Sequence, residues 1–286
     1  MNLLFCIDKK FIPQLLDSLW SISQRGGAAR YDAYVLHSDL LEEDMGRIRA
    51  GVPEAIACHF IDVPPELFAG FPVTKRYPQQ IYYRLAAPLL LPSALDRALY
   101  LDVDTTIINP LVTLYGSGFE GNLFMACTHT KDILTKVNAM RLGIHPKQDV
   151  PYINTGVMML NLPLLRKEFD LNLIRDYALD KQSVLILPDQ DILSALYGDR
   201  VKLLDPMIYN LSDRTLKLYN ANPSHQKRDV DWVRRNSVVI HYLGKNKPWT
   251  EGYVGVLDIF YHESIQARLE KQGDQDALQT SGSARQ

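Results

Sequence analysis

The N-terminal part of the chain alternates short apolar runs with segments of helical period, and that alternation constrains the fold more than anything else. Leu3 to Ile7 is an apolar run closed by Asp8. Pro13 opens a segment with apolar residues at Leu15, Leu19 and Ile22, one face of a helix, and Gly26-Gly27 stops it. Tyr31 to His37 reads as a second strand, Glu42 to Arg49 as a helix and Ala55 to Ile61 as a third strand. Strands separated by helices pair in parallel, because each crossover returns the chain to the same edge of the sheet. The expected class is α/β, a mostly parallel sheet flanked by helices. Ligands of such sheets bind beyond the carboxyl ends of the strands, which gives Asp8 a suitable position.

Further along, Gln79 to Leu91 reads as a helix that Pro88 kinks or ends. Arg97 to Leu101, Asn122 to Cys127, Gly156 to Leu160 and Val238 to Tyr242 read as strands. Leu164 to Leu179 reads as one or two helices and Asp189 to Leu196 as another. From Leu269 the chain turns polar, and residues 269–286 are expected to be a disordered tail.

Composition removes several functions. With 31 basic and 33 acidic residues there is no electrostatic case for a dedicated nucleic-acid partner. Cys6, Cys58 and Cys127 are scattered and odd in number, which argues for a reducing cytoplasm. No apolar run is long enough for a transmembrane segment, and the first residues lack the features of a signal peptide. A cytoplasmic protein is expected, with peripheral membrane association left open.

Asp102-Val103-Asp104 is the first motif with chemistry. Residues two apart on a strand share a face, so both carboxylates can point one way while Val103 packs behind. Like charges this close repel, and a divalent cation such as Mg²⁺ or Mn²⁺ removes that cost. The triplet alone carries no weight, since 24 aspartates in 286 residues give about two such triplets by chance. Context separates the four copies. Those at Asp229 and Asp274 lie in a basic loop and in the tail, whereas Asp102 ends the buried-looking run Leu99-Tyr100-Leu101. Asp189-Gln190-Asp191 opens a helix, where acids cap the first turn or, with the amide, bind hydroxyls. His241 ends Val238-Val239-Ile240 and precedes Gly244 and Lys247, a nitrogen ligand followed by a close backbone approach and a cation. The other six histidines read as ordinary core or surface residues. Gly116-Ser117-Gly118-Phe119-Glu120-Gly121 matches G-x-G-x-x-G but precedes a strand-like run, so it is a turn rather than a dinucleotide site.

Two resemblances follow from these motifs. Leu101-Asp102-Val103-Asp104-Thr105-Thr106 resembles the first motif of haloacid-dehalogenase-type phosphatases, but that motif normally opens its domain and the later acidic pair is missing here. A wider set, in order, is the strand ending in Asp8, Tyr82-Tyr83-Arg84-Leu85, Asp102-Val103-Asp104, Asn154-Thr155-Gly156, Asp189-Gln190-Asp191 and His241-Tyr242-Leu243-Gly244-Lys245-Asn246-Lys247. This set resembles the family 8 retaining glycosyltransferases, which include bacterial lipooligosaccharide galactosyltransferases and glycogenin.

The resemblance implies a GT-A fold, Rossmann-like, with a small C-terminal extension. It implies a glycosyltransferase domain over residues 1–268, its nucleotide-binding part over about 1–110 and its sugar and acceptor part over about 111–268. It implies transfer of glucose or galactose from a UDP-sugar to a glycan, lipid-linked saccharide or glycoprotein. Asp102, Asp104 and His241 would hold Mn²⁺, with Mg²⁺ possible. Asp8 and Phe11 would meet the uracil, and Gly244 and Lys247 the phosphates. Arg84, Asn154, Asp189 and Gln190 would meet the sugar, with Gln190 near the anomeric carbon. An amide is a weak nucleophile, which favours front-face attack by the acceptor; a covalent intermediate on Asp191 or Asp189 is the competing route. The alternative functions are a degenerate UDP-sugar-binding module and a phosphatase using Asp102.

Overall fold

The computed structural model describes residues 1–73, 78–128, 142 and 150–283, with side chains of the last helix described as far as residue 271. Its centre is a seven-stranded sheet in the order β3-β2-β1-β4-β7-β6-β8. The strands are β1 (Asn2–Cys6), β2 (Tyr31–His37), β3 (Ile56–Asp62), β4 (Arg97–Leu101), β6 (Phe124–Thr128), β7 (Ile153–Asn161) and β8 (Val201–Leu204). A separate two-stranded sheet pairs β5 (Thr105–Ile107) with β9 (Val239–His241) in antiparallel fashion. In the large sheet only β7 runs against the others, antiparallel to both β4 and β6. The mixed, mostly parallel sheet is the expected one.

Both faces of the sheet are covered, and the strands accordingly read as continuous apolar runs. Leu4 and Tyr100 belong to one buried cluster, whereas Leu3, Phe5, Leu99 and Leu101 belong to another, as the two-residue period requires. The second face carries the helix Ile12–Arg25, whose Leu15, Leu19 and Ile22 are fully buried. Pro13 sits in its first turn, and Gly27 follows it with φ +80°, a conformation that Gly adopts without steric cost. The first face carries the helix Pro188–Tyr197 through Ile192 and Leu193. A third cluster, with Leu211, Val233, Ile240 and Leu257, packs around β9.

Several local expectations change. Gln79–Ala86 is a 3-10 helix, and Pro88 lies at the start of the short helix Ala87–Leu90, where its missing N–H costs nothing, instead of ending a longer one. β5 and β8 are too short to show a period in sequence and are stabilised by their partners in space. The last helix runs Asp258–Ser283 and takes in residues 269–283 of the expected disordered tail. Tyr261 donates to Asp17 at 2.7 Å and Arg268 pairs with the same carboxylate, so the first turns are held to the body and propagation from them is inexpensive. Among the described residues, no helix is long and apolar enough to cross a membrane.

Candidate active site

The carboxyl ends of β1 and β4 lie side by side, Leu4 being the register partner of Tyr100. Asp8 and the Asp102–Asp104 segment therefore leave the sheet at the same edge. The aspartates sit just past β4, in the turn that leads into β5, and not on the strand itself. The turn gathers them all the same. The Asp102 N–H donates to the Gly156 carbonyl at 2.8 Å, and the Thr105 hydroxyl donates to the Asp102 carbonyl at 2.7 Å. Val103 packs toward the second core cluster, as expected.

β9 brings the imidazole. Its pairing sets His241 opposite Thr105, so the ring lies over the turn that carries the two acids. His241 Nε2 is 3.1 Å from Asp104 Oδ1 and 3.7 Å from Asp102 Oδ2. Ligand atoms of all three residues lie within 4.8 Å of one another. Atoms bound about 2.1 Å from one ion stand about 3 Å apart in neighbouring positions of an octahedron. Two carboxylates and one imidazole at these separations fit a divalent cation such as Mn²⁺, which takes mixed oxygen and nitrogen donors.

Two cations border this cluster. Lys247 Nζ bonds to Asp104 Oδ2 and donates to the Tyr242 carbonyl at 2.6 Å. Gly244, at φ +78°, gives the loop its turn three residues earlier. Asp213 fastens the far end of that loop, accepting from the Val256 N–H at 2.8 Å and from the Tyr253 hydroxyl. On the other side, Arg84 Nη2 meets Asp102 Oδ1 at 3.2 Å and Arg84 Nη1 meets Asp189 Oδ2 at 3.1 Å. The guanidinium lies 4.5 Å from the centroid of Tyr100, whose hydroxyl donates to Asp102 at 2.6 Å. Burial works against the charge on Arg84; Asp102, Tyr100 and Asp189 more than compensate, so its affinity for the proton is raised. Arg84 Nε is buried with no hydrogen-bond partner among the described residues.

Asp189 and Asp191, two residues apart, have different surroundings. Asp189 is buried, and burial pushes its carboxyl up despite Arg84 and a 2.6 Å hydrogen bond from the Thr155 hydroxyl. Asp191 is fully buried and accepts from the Tyr152 hydroxyl at 2.8 Å and from the Ile186 and Leu187 N–H groups at 2.7 and 3.1 Å. Those contacts tie down the entry to the helix Pro188–Tyr197. Gln190, between them, is half-buried in the first turn of the same helix. Asn154 is buried on β7, its Oδ1 accepting from Gly156 N–H and from the Asn210 amide. Asp8 caps the 3-10 turn Lys9–Phe11 and pairs with Lys10 at 2.8 Å, while Phe11 remains exposed beside it.

Sequence reasoning missed Gly156, Tyr100, Thr155 and Asn210. A glycine inside an apolar strand is a signal of close approach, and Gly156 was open to that reading. Asn210 follows the short helix Pro206–Tyr209 and offers no signal in the sequence.

The sequence matches the glycosyl transferase family 8 over residues 2–252. The chain belongs to this family. As a family 8 glycosyltransferase it is similar to the lipopolysaccharide 1,2-glucosyltransferase of Escherichia coli, 27% identical over 262 residues that span 87% of this chain and 73% of the relative. It is also similar to the lipopolysaccharide 1,3-galactosyltransferase of Salmonella typhimurium, at 22% identity over 87% of this chain and 72% of that protein. The galactosyltransferase LgtC, crystallised with donor and acceptor sugar analogues, has the same fold, with a TM-score of 0.76 at 24% identity over 93% of this chain and 96% of that one. Family membership removes the support for a phosphatase built on Asp102, which here follows the fourth strand of the chain and not the first.

Proposed function

We propose that this family 8 glycosyltransferase is a metal-dependent, retaining hexosyltransferase that moves glucose or galactose from a UDP-sugar to the saccharide of a lipopolysaccharide or related glycoconjugate. The observation that carries the reading is the meeting of Asp102, Asp104 and His241 within 4.8 Å at the carboxyl edge of the sheet, flanked by Lys247 and Arg84. The names of the relatives support the hexose and acceptor class. The free thiols and the absence, among the described residues, of a membrane-crossing helix are compatible with a cytoplasmic enzyme that works at a membrane surface.

In this reading Asp102, Asp104 and His241 hold Mn²⁺ or Mg²⁺, which when bound offsets the charge of the donor's diphosphate. Lys247 turns from Asp104 to a phosphate oxygen and Gly244 lets the backbone approach it. Asp8 and Phe11 hold the uracil. Arg84, Asp189 and Asn154 orient the sugar's hydroxyls, Arg84 being fixed at both ends by carboxylates so that it is preorganised. The bond between the anomeric carbon and the phosphate oxygen breaks, the acceptor hydroxyl oxygen bonds to that carbon from the same face, and its proton passes to the departing phosphate. Gln190 lies under the opposite face, and a glutamine-to-glutamate change defines an active-site mutant of LgtC. Asp191 is unsuited to a nucleophile's role, since Tyr152 and two backbone N–H groups hold its oxygens. Asp189 is engaged by Arg84 and Thr155. Front-face attack is the route these contacts favour.

The test is a thermal-shift panel of UDP-sugars with and without Mn²⁺, followed by donor hydrolysis in the absence of acceptor. One UDP-hexose is expected to raise the melting temperature only with the metal, and hydrolysis is expected to vanish in Asp104→Ala. A flat response to every UDP-sugar overturns the reading. Stabilisation without turnover on any acceptor supports a binding module instead.

A further inference from the structure

A ring nitrogen that ligates a cation must carry a lone pair, so the other nitrogen of a neutral imidazole must carry the proton. In His241 that other nitrogen, Nδ1, lies 2.7 Å from Asn210 Oδ1. An amide can be turned end for end, and turned it would present N–H₂ to the ring and place the proton on Nε2. Asn210 is prevented from turning by its second contact. Its Nδ2 lies 2.7 Å from Asn154 Oδ1. Asn154 Oδ1 in turn lies 3.0 Å from the Gly156 backbone nitrogen. That last group can only donate.

We propose that the Gly156 N–H fixes the proton on His241 Nδ1 through the two amides, and that Asn210 is the positioning residue that presents the Nε2 lone pair to the metal. A backbone donor requires an acceptor, so Asn154 offers its oxygen. An oxygen requires a donor from Asn210, so Asn210 offers its N–H₂ there and its oxygen to the ring. That oxygen requires Nδ1–H. His241, Asn154 and Asn210 are 2%, 2% and 4% exposed, so water does not compete for these contacts. A mismatch anywhere would leave a buried polar group unpaired.

The far side of the ring agrees. With the proton on Nδ1, Nε2 faces Asp104 Oδ1 at 3.1 Å and Asp102 Oδ2 at 3.7 Å. Three lone-pair donors that converge need a cation between them. The inference rests on the metal reading above only for what that lone pair addresses; the tautomer itself follows from the amides. Asn210 is placed for the task by the chain on either side of it. The Leu211 N–H donates to the Val239 carbonyl at 2.9 Å and the His241 N–H to the Leu211 carbonyl at 2.7 Å, so the segment runs beside β9.

The experiment has two arms. Nitrogen-15 correlation spectra of the imidazoles in the unaltered protein, at a pH where the ring is neutral, are expected to show a pyrrole-type Nδ1 and a pyridine-type Nε2 for His241. The opposite pattern overturns the proposal. Electron paramagnetic resonance of free Mn²⁺ then measures affinity in Asn210→Leu, checked for a cooperative thermal transition. Asn210→Leu is expected to weaken Mn²⁺ about 10- to 100-fold and to lose the fixed Nδ1–H pattern of His241 in the same nitrogen-15 spectra. Should Asn210→Leu fail to fold, the spectrum of the unaltered protein still decides the tautomer. A folded Asn210→Leu that binds Mn²⁺ as tightly as the parent overturns the positioning role. If the parent shows the Nδ1–H ring yet binds no Mn²⁺, the metal reading fails while the tautomer assignment stands.

Discussion

Gly156 and His241 leave no room for a side chain between them: a Cβ at position 156 would stand 2.2 Å from His241 Cε1 and 2.6 Å from Asp102 Oδ2. Neither neighbour can give way cheaply. The ring is buried and tied to Asn210, and Asp102 is held by Tyr100 and Arg84. The requirement at this position is therefore space, and it comes from two of the three groups proposed to hold the metal.

Gly156→Ala is expected to lower thermal stability by about 1–3 kcal/mol, the usual cost of overpacking, and to weaken Mn²⁺ at least tenfold. Denaturant unfolding and a Mn²⁺ titration check the two effects separately. Native metal affinity in a stable Gly156→Ala would show that the crowding is relieved at no cost to the ligands.

Lys247 and a metal make opposite demands on Asp104. In the structure Lys247 neutralises the Asp104 oxygen that faces away from His241. Lys247→Met should therefore bind Mn²⁺ alone at least as tightly as the parent and UDP more weakly, the two affinities moving apart. Calorimetry with metal alone, and with UDP at saturating metal, reads both. A parallel loss of both would place Lys247 in the metal site's support and not against the phosphates.

The two acids of Asp189-Gln190-Asp191 are expected to fail differently. Asp191→Asn leaves one of three donors facing an N–H₂ group, and should cost about 1–3 kcal/mol of stability with transfer activity kept in the folded fraction. Asp189→Asn can keep the oxygen that Thr155 and Arg84 share, but it removes the negative charge that faces Arg84. It should lower kcat/KM by tenfold or more with a small change in melting temperature. Activity lost in both at full stability would return Asp191 to candidacy as a nucleophile.

The cysteines give a pH prediction. Burial pushes the Cys6 thiol up to about 12 and the Cys58 thiol up to about 11, against the opposing charges of Arg84 and Arg49. Cys127 is raised by burial as well. Only the thiolate reacts, and raising the affinity for the proton lowers its fraction at any pH below that value. At pH 8 the thiolate fraction of Cys58 is about one part in a thousand, and that of Cys6 is smaller. Alkylation of the native protein at pH 8 should be slow for all three and quicken about tenfold per pH unit up to about 11 for Cys58. Unfolding in denaturant should release three reactive thiols at once. A fast native thiol at pH 8 contradicts this.

The linear sequence determined the sheet's parallel half, because β1, β2 and β3 are adjacent strands joined by helices and each burial pattern is set by residues a few positions apart. It determined the candidate ligands too, since a pair of acids after an apolar strand and a histidine at the end of another are local patterns. What it could not carry was contact between distant segments. β5 is three residues long and exists by pairing with β9, more than a hundred residues later. The different surroundings of Asp189 and Asp191 depend on Arg84, Thr155 and Tyr152, which come from other elements. Asn210 has no pattern around it at all, and its place beside His241 is set by the packing of its segment along β9. Local periodicity is written into the order of residues, whereas the partner of a buried polar group is chosen only when the chain closes around it.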